Sequence, residues 1–298
     1  MKSPQPAEPW IDGPRSFASS AQTAVASTLS NALLAVSWAG IASTLYRIRR
    51  GEGALLAVNL SLIAYQGGFG SLHGLAAALV SVLVILLMYA FNDLYDAPLD
   101  VNNPKKDRAL IAAYLEHRSV CVPAIWALSL LTIGLAYATL GARPALMVAA
   151  VFLVNVLYST LLKGAPVIDV VWCGLWGALY AVVVETSPHL LVLVGLMTAV
   201  CHLYQALDDR ASDAANHIVT TAVRSAALSR NILAGLSLLL FFALRPTFGD
   251  AWALSAFIPL AFFFVSPSAR IAWLLSKAYF GIMWLSVLAV RPLDGVAW

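Results

Sequence analysis

Asn92, Asp93, Asp96 and Asp100 stand close together in the stretch FNDLYDAPLDVNNPKKDR, residues 91–108. On a helix advancing about 100° per residue they fall within roughly one quarter of the circumference. Asp209 and Asp213, four residues apart, share a helical face in the same way. Like charges stacked so closely repel each other unless a cation lies between them. Two facing groups of oxygen ligands suit Mg²⁺, which binds a few carboxylates together with substrate phosphates. Bases accompany the acids. Lys105, Lys106 and Arg108 trail the first acidic face, Lys163 stands alone in VLYSTLLKGAPVIDV, and Arg210 is embedded in the second acidic segment. Carboxylate-held metal with Arg and Lys nearby forms a receptor for a polyanion such as diphosphate.

The elements that position these groups are written in the composition. The 298-residue chain is 61% hydrophobic and only 11% charged, with a mean hydropathy of +0.82. A water-facing surface needs about 25% charged residues, so the solvent of this chain is lipid. Uncharged runs of membrane-spanning length recur, and the ten-residue alternation of a membrane barrel is absent. The sequence therefore predicts an all-α polytopic membrane protein. Charge and Gly/Pro punctuation divide it into nine spans, at 54–72, 73–91, 119–140, 143–162, 166–187, 188–207, 226–244, 250–266 and 271–290. Residues 1–16 are expected to be a disordered tail, and 17–45 an interfacial helix in preference to a tenth span. This division puts fourteen of the eighteen basic residues on one side and Arg143, Arg245 and Arg291 on the other, with Lys277 inside the last span. That imbalance orients the richer side, and both acidic segments, toward the cytoplasm. The net charge of +3 reflects this loop bias and gives no hint of nucleic acid. Cys121, Cys173 and Cys201 lie far apart in apolar spans and read as small packing residues. Oligomeric state has no readable signal.

A substrate for such a site needs an anionic head and an apolar body, and a prenyl diphosphate has both. At this point the sequence resembles the UbiA superfamily of intramembrane prenyltransferases. The first motif of that family, NDxxDxxxD, is complete as Asn92, Asp93, Asp96 and Asp100, and the second, DxxxD, is matched by Asp209 and Asp213 with Thr220 following. LYSTLLK, residues 157–163, is similar to the Tyr-Ser…Lys segment after the fourth helix, and RIRRGEGALLA resembles the entry to the first. The resemblance covers roughly residues 45–290, so 46–298 is expected to be a UbiA-like transmembrane domain. Three departures stand out: Ala109 replaces a common Pro after Arg108, Gly51 a common Pro after Arg50, and His217 the usual Gly after the second motif.

The resemblance implies a nine-helix bundle with a cytoplasmic-facing site and a Mg²⁺-dependent transfer of a prenyl group to an electron-rich, aromatic acceptor. Asn92, Asp96, Asp209 and Asp213 would hold the metal, with Asp93 and Asp100 assisting. Arg50, Lys106, Arg108, Lys163 and Arg210 would bind the diphosphate. Tyr158 would shield an allylic cation by cation–π contact, and Asp208 or Tyr204 would position the acceptor or take its proton. His217 would place an imidazole near the phosphates. A terpene cyclase on the same scaffold would use identical motifs without an acceptor. A polyprenyl-phosphate sugar transferase fits less well, because the second carboxylate pair is intact. An ion or lipid carrier would place its ionisable groups near the bilayer midplane, whereas these lie at span ends.

Overall fold

The computed structural model of the chain describes residues 41, 45, 47, 53–101, 103, 106–184 and 187–290. The expected tail at 1–16, nearly all of the expected interfacial helix at 17–45, and Arg50 and Lys105 lie outside the described residues. Among the described residues every regular element is helical.

Helix α1 (Ala54–Tyr65) ends at a turn in which Gly67 takes a φ of 72°, and a single 3₁₀ turn follows at Gly68–Gly70. Ser71 then caps α2 (Leu72–Asp100) by accepting a hydrogen bond from the Gly74 amide. At 29 residues, α2 is about 43 Å long at 1.5 Å per residue. That exceeds the roughly 30 Å of bilayer hydrocarbon, so the turns carrying Asn92–Asp100 continue past the apolar run. Asp107 caps the short α3 (Arg108–Glu116), accepting from the amides of Ala109 and Leu110. A small core of Ala90, Leu94, Ala97, Ile111, Tyr114, Cys121 and Ile125 pins α3 beneath the acidic end of α2 and against α4 (Arg118–Leu140).

Helix α5 (Ala142–Leu157) runs directly into a π turn, Tyr158–Leu162, closed by the Lys163 amide donating to the Tyr158 carbonyl. Helices α6 (Ile168–Val182) and α7 (Pro188–Ala215) form the closest pair in the fold. Their contact runs through small residues: a Cβ at Gly174 would stand 3.0 Å from the Gly195 carbonyl oxygen, and one at Gly177 would overlap the Thr198 side chain. The 28 residues of α7 also exceed the hydrocarbon thickness and carry Asp209 and Asp213 on their last turns. After the single-turn α8 (Thr221–Arg224), α9 (Ala226–Ala253) bends at Gly249, where φ is 74°. Helices α10 (Ile258–Val265) and α11 (Ala269–Val290) are the last among the described residues. The buried core joins α1, α2, α5, α6, α7, α9 and α11, while Leu130, Leu131, Leu146 and Phe264 face outward, as expected for a lipid-facing surface.

Six stretches among the described residues are long and apolar enough to cross a membrane: Leu72–Asp100, Arg118–Leu140, Ala142–Leu162, Pro188–Ala215, Ala226–Val265 and Ala269–Val290. Ala54–Tyr65 and Ile168–Val182 are shorter than the expected spans at 54–72 and 166–187. The expected spans at 226–244 and 250–266 fall in one 40-residue stretch bent at Gly249. Buried polar groups lock the short helices in place. Asn59 on α1 donates to Ser81 Oγ at 3.2 Å and to the Tyr180 carbonyl at 3.1 Å, and the Tyr180 hydroxyl donates to the Ser81 carbonyl at 2.9 Å. Asp169, fully buried on the first turn of α6, accepts hydrogen bonds from the amide and hydroxyl of Thr221. That pairing ties the loop after α7 to the loop after the π turn.

Candidate active site

A cavity of about 540 Å³ opens between α1, α2, α6, α7 and α11, with the π turn on its wall. Its two ends differ in chemistry. One is lined by Asn92, Asp93, Asp96 and Asp100 of α2, by Asp209, Ser212 and Asp213 of α7, and by Lys106 and Lys163. The other is lined by Val58, Val194, Met197, Trp176, Phe280 and Trp284. Both acidic motifs therefore face one space, although 109 residues separate Asp100 from Asp209 in the chain.

Each carboxylate of the first motif meets a cation. Lys163 Nζ is 2.7 Å from Asp96 Oδ1, and Lys106 Nζ is 3.0 Å from Asp100 Oδ2. Asp93 is paired with Arg47, whose guanidinium also stacks 4.7 Å from the centre of the Tyr89 ring. Asn92 Oδ1 accepts a hydrogen bond of 2.7 Å from Ser159 Oγ. The π turn makes this contact, because its extra residue turns Ser159 toward α2 while Lys163 still reaches Asp96. Burial pulls the Lys163 ammonium toward its neutral form, but Asp96 beside it, with Asp213 and Asp100 adding their field, holds its pKa above the usual lysine value. One lysine thus feels both motifs at once.

The oxygen donors suit a hard divalent cation. Among the described residues no three His, Cys, Asp or Glu side chains form a ready-made metal cage. Mg²⁺ does not require one, since it retains waters and takes much of its shell from substrate phosphates.

Of the residues expected from the sequence, Asn92, Asp93, Asp96, Asp100, Asp209, Asp213, Lys106, Lys163 and Tyr158 all line the cavity. Arg108 and Arg210 are exposed, and Asp208 is half-buried; none of the three lines it. Arg210 and Asp208 follow and precede Asp209 by one residue, and a step of about 100° turns each off the face that looks inward. Arg108 begins α3 and points outward from it. Tyr204 is buried away from the cavity, its hydroxyl donating to the Pro259 carbonyl. His217 is exposed and takes a φ of 58°, which accounts for a glycine being usual at that position.

Arg47, Lys277 and His202 are among the lining residues not anticipated as part of a site. Arg47 carried a signal, because it stands in RIRR before the first span. Lys277 also did, as the lone base inside the last span; its ammonium sits 3.2 Å from the centre of the Trp273 ring. His202 is seven residues before Asp209, so helical phase puts it on the same face. Its Nε2 lies 3.4 Å from the Tyr158 hydroxyl, with the two rings edge to face at 5.7 Å.

Comparison with known proteins agrees with this architecture. The model of the UbiA prenyltransferase family matches residues 54–285. A UbiA homolog from Archaeoglobus fulgidus bound to DMAPP and Mg²⁺ superposes with a TM-score of 0.53 at 20% identity, covering 80% of this chain and 99% of that one. The same homolog bound to GPP and Mg²⁺ gives 0.52 at 20% identity, with the same coverage. No curated protein matches the chain.

Proposed function

The chain belongs to the UbiA prenyltransferase family, and from that membership and the shape of its cavity we propose that it is a Mg²⁺-dependent intramembrane prenyltransferase. It takes the prenyl group from an isoprenyl diphosphate and passes it to an electron-rich, hydrophobic acceptor with an aromatic nucleus. The observation that carries the proposal is the single cavity, acidic and basic at one end and apolar at the other, on which both motifs converge around Lys163. The ligands named in the similar structures, DMAPP and GPP with Mg²⁺, are of the same chemical class.

Asn92, Asp96, Asp209 and Asp213 hold the metal, with Asp93 and Asp100 beside them. When bound, Mg²⁺ screens the diphosphate and stabilises the negative charge that grows on it. Lys106 and Lys163 add fixed positive charge where the leaving oxygen develops. The apolar end receives the isoprenoid and excludes water from the allylic cation, and the face of Tyr158 shields that cation. Arg108, Arg210 and Arg50 remain assigned to diphosphate binding, and Asp208 to the acceptor, only by their family positions.

The bundle is proposed to cross the membrane nine times. Ala54–Tyr65 and Ile168–Val182 serve as short spans, and Ala226–Val265 crosses twice through its bend at Gly249. The cavity mouth then faces the cytoplasm, in keeping with the distribution of basic residues. Incubating purified protein with prenyl diphosphates of graded length, with and without aromatic acceptors, tests the reading by mass spectrometry. Acceptor-dependent prenylated products support it. A hydrocarbon or alcohol formed equally well without any acceptor would replace it with a cyclase.

A further inference from the structure

We propose that Tyr158 and His202 form the base that removes the proton whose loss completes the reaction. The inference rests on the proposed prenyl transfer and moves its proton-removal step from Asp208 and Tyr204, neither of which lines the cavity, to two residues that do. Addition of a prenyl cation to an aromatic ring leaves a positively charged adduct, which must lose a proton to restore the ring. The carboxylates of both motifs are poor acceptors for it, since Asp96, Asp209 and Asp213 are assigned to the metal and Asp93 is paired with Arg47. His202 lines the same cavity two helical turns before Asp209, about 10 Å along α7 from the metal-binding end. That sets it on the cavity wall between the charged end and the apolar end. Tyr158 bridges the two levels. Its ring follows α5 into the π turn that ends at Lys163, and its hydroxyl faces His202 Nε2 at 3.4 Å.

The C–O bond of the prenyl diphosphate breaks and its electron pair leaves with the diphosphate. The π electrons of the acceptor form the new C–C bond. The ring C–H bond then breaks, its electron pair restores the ring, and the proton passes to Tyr158 Oη as the hydroxyl hydrogen moves to His202 Nε2. The imidazolium returns its proton to water at the mouth when product leaves. A neutral imidazole suits this duty because one of its ring nitrogens accepts a proton. The charged and titratable groups around it are Tyr158 from the π turn, Lys163 just beyond that turn, Asp169 and Cys173 on α6, Cys201 next to it on α7, and Lys277 on α11 against Cys201.

The test uses the full-length protein in lipid nanodiscs, geranyl diphosphate, Mg²⁺ and a phenolic acceptor with and without ring deuterium. For H202Q the turnover to prenylated product is expected to fall about a hundredfold or more. Its ring-hydrogen isotope effect should rise above that of the wild type. A larger share of released diphosphate should appear with prenyl alcohol instead of adduct. Y158F, which removes only the relay hydroxyl, should show the same rise in isotope effect. A wild-type isotope effect in either variant would overturn the proposal. Failure of the wild type to release diphosphate from geranyl diphosphate at all would overturn the prenyltransferase reading, and this inference with it.

Discussion

Lys163 Nζ lies 2.7 Å from Asp96 Oδ1, joining the end of the π turn to the acidic face of α2. The lysine side chain is 23% exposed and the aspartate 15%, so the pair is only partly screened by solvent. Burial works against the charged amine, and the nearby carboxylates outweigh it, so the pKa is raised. The stabilisation this brings is fully present below the unfolded lysine value of about 10.4, and it is lost only as pH rises through the still higher folded value. Lys163 is therefore expected to contribute no limb to the activity profile between about pH 6 and 9. K163M should lower turnover about 10²-fold or more, and K163R should restore part of it. Steady-state kinetics across that pH range check both.

Arg47 and Asp93 form a second pair in which both side chains are nearly buried, at 10% and 12% exposure. Removing one partner from such a pair leaves an uncompensated charge, which costs about 3–5 kcal/mol. R47M should therefore lower the apparent Tm in detergent, and R47M/D93N should recover much of the loss. The double variant should not regain activity, because Asp93 is placed beside the metal. Thermal unfolding and turnover measured on the same preparations separate the two effects.

Gly177 and Gly134 predict opposite outcomes for one substitution. A Cβ at Gly177 would overlap Thr198, whereas one at Gly134 would meet nothing within 4 Å. G177A should push α6 from α7 and cost about 1–3 kcal/mol, with reduced turnover because Thr198 lines the cavity. G134A should be neutral or stabilising by up to about 1 kcal/mol. Thermal unfolding of the two variants side by side decides it.

Much of the site was legible because it depends on local phase. Asn92, Asp93, Asp96 and Asp100 reach one cavity because a continuous helix puts them on one face, and that face is readable from spacing alone. Lys163 was legible as a lone base between two apolar spans. Arg47, His202 and Lys277 each left a trace in the sequence, but which such residues reach the wall depends on how the helices are rotated in the bundle, and tertiary packing sets that rotation. Arg210 and Asp208 show the same limit from the other side: they flank Asp209, yet their helix turns them off the inward face. The π turn at Tyr158–Leu162 also had no signature, although it positions Ser159 against Asn92. The shortness of α1 and α6 escaped a hydropathy reading because apolar loop residues extend the uncharged runs beyond the helix ends.

His217 occupies a left-handed backbone position, with a φ of 58°, and lies outside the cavity. Glycine adopts that conformation with less strain. H217G is expected to leave turnover unchanged and to raise the apparent Tm slightly, by the equivalent of about 1 kcal/mol or less. A large loss of turnover would instead place the imidazole at the phosphates.

Magnesium-dependent binding of radiolabelled geranyl diphosphate to the purified wild type, D96A and D213A tests most directly whether the two motifs act as one receptor. The account predicts tight binding to the wild type only when Mg²⁺ is present, and its loss in both variants even though they lie on different helices. Binding that ignores Mg²⁺, or wild-type affinity in either variant, would contradict it.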